Sequence, residues 1–395
     1  MTNINDSFCF FPFVHANIRA NNDRNVAPCW RSDEMLGKLN DSTLQEIWNG
    51  DEYKTLRQQF LDGKKPAGCS RCWKLEENNE TKNLSLRSWY LENYAHYYKD
   101  IMKDPLNPTL RSVELRFSNL CNLSCLHCGS QHSTTWNNKL KKHGEIKGFQ
   151  SINPRNPRII TKDEVDSMIP MFATLDEIRI TGGEPLTDPV FYHFLEVIPA
   201  EIAKNIELLV VSNLMTLKYE DKDAISLFEK FKEVKLRASV DADEATFSYF
   251  RSGGNIEIVK ENIDRIQSYT NNVSISGVCA VNILNITRLD NIIKFHEQRN
   301  MYFKVMFVQE RPHYLDIRNL PQVLKDKINS QSYSYTLHNE KEMQRVLDFM
   351  NSSPGDAKHF ADLKTYLFHI DKMNGTNFLN TYSEFKEYWH DTQPN

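Results

Sequence analysis

From residue 112 onward, short apolar runs alternate with longer stretches in which apolar residues recur every three or four positions. The runs 112–117, 177–181, 207–211, 234–240, 273–281 and 302–308 are short, rich in branched side chains and flanked by polar residues, and they read as strands. Between them, 131–142, 162–173, 190–203, 221–231, 255–269 and 286–299 carry the helical period. Strand–helix units in series predict an α/β fold with a mostly parallel sheet and right-handed crossovers. Six such units can curve into a partial (β/α)6 barrel, with its chemistry at the carboxyl ends of the strands. Upstream, residues 1–75 are loop-rich. A short helix is expected there from Leu44, capped by Ser42 or Asp41 with Glu46 nearby, and a second over 51–60 that stops at Asp62-Gly63. The aromatic stretch 76–105 has helical spacing and reads as a connecting helix, broken at Asn107-Pro108. Beyond the boundary at Arg311-Pro312 the chain turns polar and helical. The division expected is 1–75, a linker at 76–110, a barrel at 111–310 and a helical region at 311–395.

With 395 residues, 40% of them hydrophobic, the chain can bury a sizeable core and more than one domain. A net charge of −4 argues against a broad nucleic-acid surface. There is no run of 18 apolar residues, and the first residues have no basic and apolar segment of the secretory kind, so no membrane contact and a cytoplasmic location are expected.

Eight cysteines change the picture, because clustered cysteines in a reducing compartment are metal ligands more often than disulfides. Cys121, Cys125 and Cys128 stand in C-x3-C-x2-C spacing directly after the first barrel strand. A cubane iron–sulfur cluster has four irons, so three thiolates leave one iron open to a small ligand. The spacing resembles the signature of the radical S-adenosylmethionine (radical SAM) superfamily. Further segments at successive strand ends resemble that family too. Gly182-Gly183-Glu184-Pro185 is similar to its GGEP motif, which receives the amino group of SAM. Ser212-Asn213 is similar to a polar pair near the SAM carboxylate or ribose. Ser239 and Asp241 match an S-x-D ending that bonds ribose hydroxyls, and Arg251 lies where it could pair with the SAM carboxylate. Gly277 falls where the family packs adenine against a strand, and His127 where many members place an aromatic on adenine. The resemblance implies reductive cleavage of SAM to a 5′-deoxyadenosyl radical that abstracts a substrate hydrogen, with flavodoxin or ferredoxin as electron donor. Taken singly, the glycines could be an ordinary turn, Ser239 and Asp241 helix caps, and Arg251 a surface charge.

Cys9, Cys29, Cys69 and Cys72 form a second set that could close the coordination of a cubane or of one zinc. Their surroundings, with Pro12-Phe13, Pro28 before Cys29, Ile47-Trp48-Asn49-Gly50 and a closing Gly-Cys-x-x-Cys, resemble the SPASM/twitch auxiliary-cluster module, which in most members follows the barrel. The resemblance implies a second [4Fe-4S] cluster that exchanges electrons with the substrate radical. Cys279 stands alone; a buried thiol is the plain reading, and a hydrogen donor to a substrate radical the sharper one. The family tilts the substrate toward a peptide or protein side chain, with oxidation or rearrangement of a sugar or nucleoside as the alternative. A zinc-binding scaffold without catalysis and an RNA-modifying enzyme are the rivals of other classes.

Overall fold

The computed structural model describes residues 5–19, 24–77, 82, 85–154, 157, 159–269, 271–308 and 312–389. Arg311, half of the expected boundary at Arg311-Pro312, lies outside them. Nine strands make the main sheet: β1 (His15–Ile18), β2 (Asn25–Ala27), β3 (Gly37–Lys38), β4 (Ser112–Arg116), β5 (Glu177–Thr181), β6 (Glu207–Ser212), β7 (Glu233–Ser239), β8 (Val273–Val281) and β9 (Tyr302–Phe307). Their spatial order is β9-β8-β7-β6-β5-β4-β1-β2-β3. Strands β4 to β9 run parallel and are the six read from the sequence, to within a residue or so at each end. This is the expected partial barrel.

The three amino-terminal strands are additional. β1 pairs parallel with β4, His15 opposite Ser112 and Ile18 opposite Leu115, and β2 and β3 follow antiparallel. Residues of the loop-rich segment are therefore continuous with the barrel sheet. The sequence hid β1 because Asn17 and His15 interrupt its apolar pattern, yet both are fully buried. The Nδ1 of His15 lies 2.9 Å from the Ser112 hydroxyl, and burial holds the ring well below the ordinary histidine pKa.

Most local boundaries follow from turn and cap chemistry. Helix α1 (Leu44–Trp48) is capped by Thr43 rather than Ser42 or Asp41: its hydroxyl accepts the Glu46 N–H at 3.3 Å, and the Glu46 carboxylate accepts the Thr43 N–H at 2.8 Å. Helix α2 (Asp51–Leu61) ends as expected, with Gly63 at φ +73°. Helix α3 is Ser70–Glu76. The single helix expected over 76–105 is instead α4 (Leu86–Asn93) followed by two short turns, because Tyr94 leaves helical geometry to pack its ring on Tyr90 and Tyr97. Helices α5 (Thr134–His143), α6 (Lys162–Phe172), α7 (Pro189–Val197), α8 (Ile256–Ser268) and α9 (Leu289–Glu297) cover the convex face. The run 190–203 splits at Pro199, which forces Ile198 into an extended conformation. Arg57 is wholly buried; its Nε donates to the Pro12 carbonyl (2.9 Å), Nη1 to that of Leu106 (2.8 Å), and the guanidinium lies over Trp48. It ties the amino-terminal segment to the chain just before β4.

Alternation along the strands separates the two faces. Ile178, Val210, Leu236, Ala238 and Phe303 are buried under the helices, while Glu114, Arg179, Arg237 and Lys304 occupy the opposite, concave face. The carboxyl-terminal helices α10 (Gln322–Asn329), α11 (Leu337–Asn351) and α12 (Ala357–Asn374) close the barrel beyond β9. Edge strand β9 is covered by α11: the Glu342 carboxylate accepts the Val305 N–H at 2.8 Å, and His338 Nε2 meets the Phe303 carbonyl at 2.6 Å. Among the described residues no helix is long and apolar enough to cross a membrane.

Gly277 departs from the expected role. A Cβ there would come within 2.0 Å of the His296 ring of α9, on the convex side, so the missing side chain makes room for a histidine rather than for adenine. Gly277→Ala is expected to cost about 1–3 kcal/mol in denaturant unfolding. The Gly277→Ala/His296→Ala pair should lose less than the two single changes added together. Strict additivity would show that the contact does not set this position.

Candidate active site and cluster-binding sites

The loop after β4 carries Cys121, Cys125 and Cys128, and three separate parts of the chain hold it. From α5, the Thr135 hydroxyl donates to the Cys121 carbonyl (2.7 Å), the Trp136 indole to that of Cys125 (2.8 Å), and Ser133 to that of Leu123 (2.6 Å). From the turn before α8, the Phe250 and Ser252 carbonyls accept the Leu126 and Ser124 N–H groups. From α12, the buried Tyr366 hydroxyl donates to the Leu126 carbonyl at 2.9 Å. The loop's shape is thus set by hydrogen bonds from three parts of the chain. Burial pushes the Cys125 thiol up to about 11 and the Cys128 thiol up to about 12, with Cys125 adding to the effect on Cys128. Such thiols stay protonated until a cation replaces the proton, which couples metal binding to proton release.

The glycine turn after β5 is fitted to that loop. A Cβ on Gly183 would lie 2.1 Å from the Leu120 carbonyl, and Gly182 takes φ +133° beside the Ser118 carbonyl. The Gly183 and Glu184 N–H groups donate to those two carbonyls, at 3.1 and 2.6 Å. The close approach that the glycines permit is to residues 118–120 of the chain itself. Pro185 starts the following turn, with Glu184 as its cap. The Glu184 carboxylate is buried and saturated, accepting from the Ser212 hydroxyl (2.8 Å), the Asn213 N–H (2.6 Å) and the Leu186 N–H (3.0 Å). Burial raises its pKa, and these donors pull it partly back. The Asn213 amide donates to the Asn122 side chain inside the cluster loop, at 2.8 Å. Glu184, Ser212 and Asn213 therefore brace the ends of β5 and β6 against that loop.

Asp241, Arg251 and His127 come together at the end of β7. Arg251 and Asp241 form a buried ion pair, the His127 Nε2 lies 3.8 Å from Asp241, and the second Asp241 oxygen accepts the Ala280 N–H at 2.7 Å. Burial would raise the Asp241 carboxyl, but Arg251 and then His127 outweigh it and hold it below the ordinary range. His127 stacks on Phe250 with ring centroids 5.3 Å apart. Two buried donors or acceptors here lack a partner among the described residues, His127 Nδ1 and Arg251 Nε. Ser239 sits on the concave face with its hydroxyl unengaged by any described residue. Unsatisfied polar atoms beside three thiols suit a polar ligand that binds the open iron, and the site fits a three-thiolate cubane with SAM. Cys279 lies behind this group, and burial first, then the neighbouring Asp241 carboxylate, push its thiol well above the ordinary cysteine pKa. It shares the helix-facing side of β8 with Gly277 and is fully buried, and the Asn285 amide approaches its sulfur at 3.5 Å.

Cys9, Cys29, Cys69 and Cys72 line one pocket, together with Phe11, Arg31, Trp73 and Arg87. Burial pushes Cys29 and Cys69 up to about 12, and neighbouring thiols add to the rise at Cys9, Cys29 and Cys69. Among the described residues no three cysteine, histidine or acidic side chains close on a single-ion point. Four thiols on one pocket can supply all the thiolate ligands of a cubane cluster. Phe11 separates this cavity from the barrel, packing on Tyr90 (4.4 Å) and Trp30 (5.7 Å), and the Arg179 guanidinium of β5 lies over both of those rings. Residue-by-residue reading missed Tyr366, Trp136 and Asn122, since an aromatic or amide with a structural hydrogen bond carries no spacing signal.

Comparison with known proteins agrees with this layout. Residues 115–296 match the model of the radical SAM superfamily, and residues 9–73 that of the SPASM iron–sulfur cluster-binding domain. Among curated proteins, a GTP 3′,8-cyclase of Staphylococcus epidermidis is 22% identical over 292 residues, 72% of this chain and 76% of its own. That of Campylobacter lari is 23% identical over 237 residues, 60% of this chain and 67% of its own. The Thermodesulfovibrio yellowstonii enzyme is 29% identical over 168 residues, covering 42% and 46%. Solved structures of similar fold include anSMEcpe with bound AdoMet (15% identity, TM-score 0.38, 56% of this chain) and Streptococcus suis SuiB bound to S-adenosylmethionine (14%, TM-score 0.41, 78%). The chain spans 63% and 60% of those two, less than two thirds of their length. With both cysteine sets in place, this chain is an enzyme with a radical SAM domain and, on its amino-terminal side, a SPASM iron–sulfur cluster-binding domain.

Proposed function

We propose that the enzyme abstracts a hydrogen atom from a small polar metabolite seated in the barrel interior, and that the amino-terminal site exchanges an electron with the resulting substrate radical. The observation that carries this is the placement of Cys121, Cys125 and Cys128 at the carboxyl end of β4, over a concave face lined with charged residues. When bound, the cluster and SAM supply an electron and a carbon radical that takes the hydrogen. The chain's own part is to fix the loop through Thr135, Trp136 and Tyr366, and to present Arg251, His127 and Ser239 to the cofactor. The Phe11, Trp30 and Tyr90 rings provide contact between the amino-terminal cavity and the interior. The covered edge of β9 leaves an extended peptide no strand to pair with there, which favours the small substrate. The relatives named GTP 3′,8-cyclase point the same way, since that name gives a nucleotide as substrate. A peptide side chain is the second reading, supported by the exposed apolar rim of Trp89, Tyr302 and Met306 beside the interior.

Two outcomes are expected of anaerobically reconstituted protein. SAM with dithionite should yield 5′-deoxyadenosine, and Cys125→Ala should abolish it; persistent product in that variant would remove the loop from the reaction. The parent should bind about eight irons, and Cys125→Ala and Cys72→Ala should each lose about four, independently. Zinc in place of iron in the Cys72 site would refute the auxiliary cluster.

A further inference from the structure

Among the described residues, ion pairing along the concave face leaves Arg237 and Lys304 over. Arg116 lies against Glu114 at 3.0 Å, Arg179 against Glu177, and Lys235 against Glu207 at 2.7 Å. Arg237 on β7 makes no ion pair or hydrogen bond with any described residue. Lys304 on β9 has only the ring of Trp89, 4.2 Å from its Nζ. The two are neighbours across β8: Arg237 is in register with Ser276, and Lys304 with Val278 two residues on. The carboxylates in reach are already committed. Glu342 gives one oxygen to the Val305 N–H and the other to Arg345, at 2.8 and 2.6 Å, while Glu177 and Glu207 hold Arg179 and Lys235. Burial first, and Arg237 next, push Lys304 down to about 8.

Two half-buried like charges with no counter-charge destabilise a fold, and a bound anion relieves both desolvation and repulsion. An arginine fork and a lysine ammonium together are the usual chemistry for an oxyanion. The hydroxyls of Ser239 and Ser276 face the same space without a partner among the described residues. We propose that Arg237 and Lys304 form an anion-binding subsite inside the barrel that seats a phosphate or carboxylate of the small substrate. Arg237 is four residues below Asp241, about 13 Å along the strand. A metabolite anchored there reaches the strand ends with its opposite end, where the hydrogen is taken. Trp89, 43% exposed and against Lys304, offers a flat apolar wall and an optical reporter. The inference rests on the barrel interior being the substrate chamber.

The test is a binding measurement on reconstituted holoenzyme without reductant, so that it does not depend on radical chemistry. Pyrophosphate, GTP and glutarate are titrated separately, followed by calorimetry and tryptophan fluorescence. Saturable binding of at least one is expected, weakened roughly tenfold or more in Arg237→Met and in Lys304→Met and largely kept in Lys304→Arg. Iron content and circular dichroism matched to the parent establish that the variants are folded. Preference for pyrophosphate and GTP would assign the anion to a nucleotide phosphate, and preference for glutarate to a carboxylate. No saturable binding of any probe, or equal affinity in the parent and both methionine variants, would overturn the subsite. Loss of 5′-deoxyadenosine formation by the parent would instead overturn the proposed reaction.

Discussion

The parallel pairing of His15–Ile18 with Ser112–Leu115 is the constraint on which the rest of this structure depends. It makes the amino-terminal iron–sulfur segment part of the barrel sheet, and it does so next to the strand whose far end carries the three-cysteine loop. A parallel pair needs a long connection between its strands. The linker with α4 supplies it, and its Tyr90 lies between the amino-terminal cavity and Arg179. Order along the chain is thereby decoupled from position in space: a domain that precedes the barrel still stands beside its interior. Arg57 reinforces the join by satisfying carbonyls on both sides of it, and its burial pulls the guanidinium down to about 10.

The strand ends repeat one device, a buried carboxylate that accepts from neighbouring strands. Glu184 accepts from β6 and the residue after it, and Asp241 from β8 while holding Arg251. Each such group is costly to bury unless every lone pair is met, and once met it fixes the geometry around it. The cluster loop inherits that rigidity through Asn122, Leu120 and Phe250. Residues that family resemblance marks as cofactor contacts are in this protein the frame that holds the three-cysteine loop.

Electrostatics on the concave face follows a different rule. Parallel strands covered on both sides are usually apolar throughout, yet this face pairs acids with bases, along β4 and β5 and between β6 and β7. That pattern belongs to a wet or ligand-filled interior. Its imbalance is confined to β7 and β9, on the side of the barrel nearest the exposed Trp89.

The sequence by itself determined the six barrel strands, the cysteine loop at the end of the first of them and the family, since period, spacing and turn chemistry are local. It also placed the cap of α1 at Ser42 or Asp41, one or two residues before Thr43, which holds that place. What it could not decide were facts of tertiary pairing. The polar residues His15 and Asn17 concealed a fully buried strand, because their partners lie about a hundred residues away. Gly277 looked like a ligand contact, and only the position of α9 showed that a histidine fills its place. Tyr366 gave no sign that it would brace a loop 240 residues earlier. Nor could Arg237 and Lys304 be told from ordinary surface charges. Whether a charge is paired depends on which strands lie side by side and in what register, and that is settled by the assembled sheet rather than by neighbours in the chain.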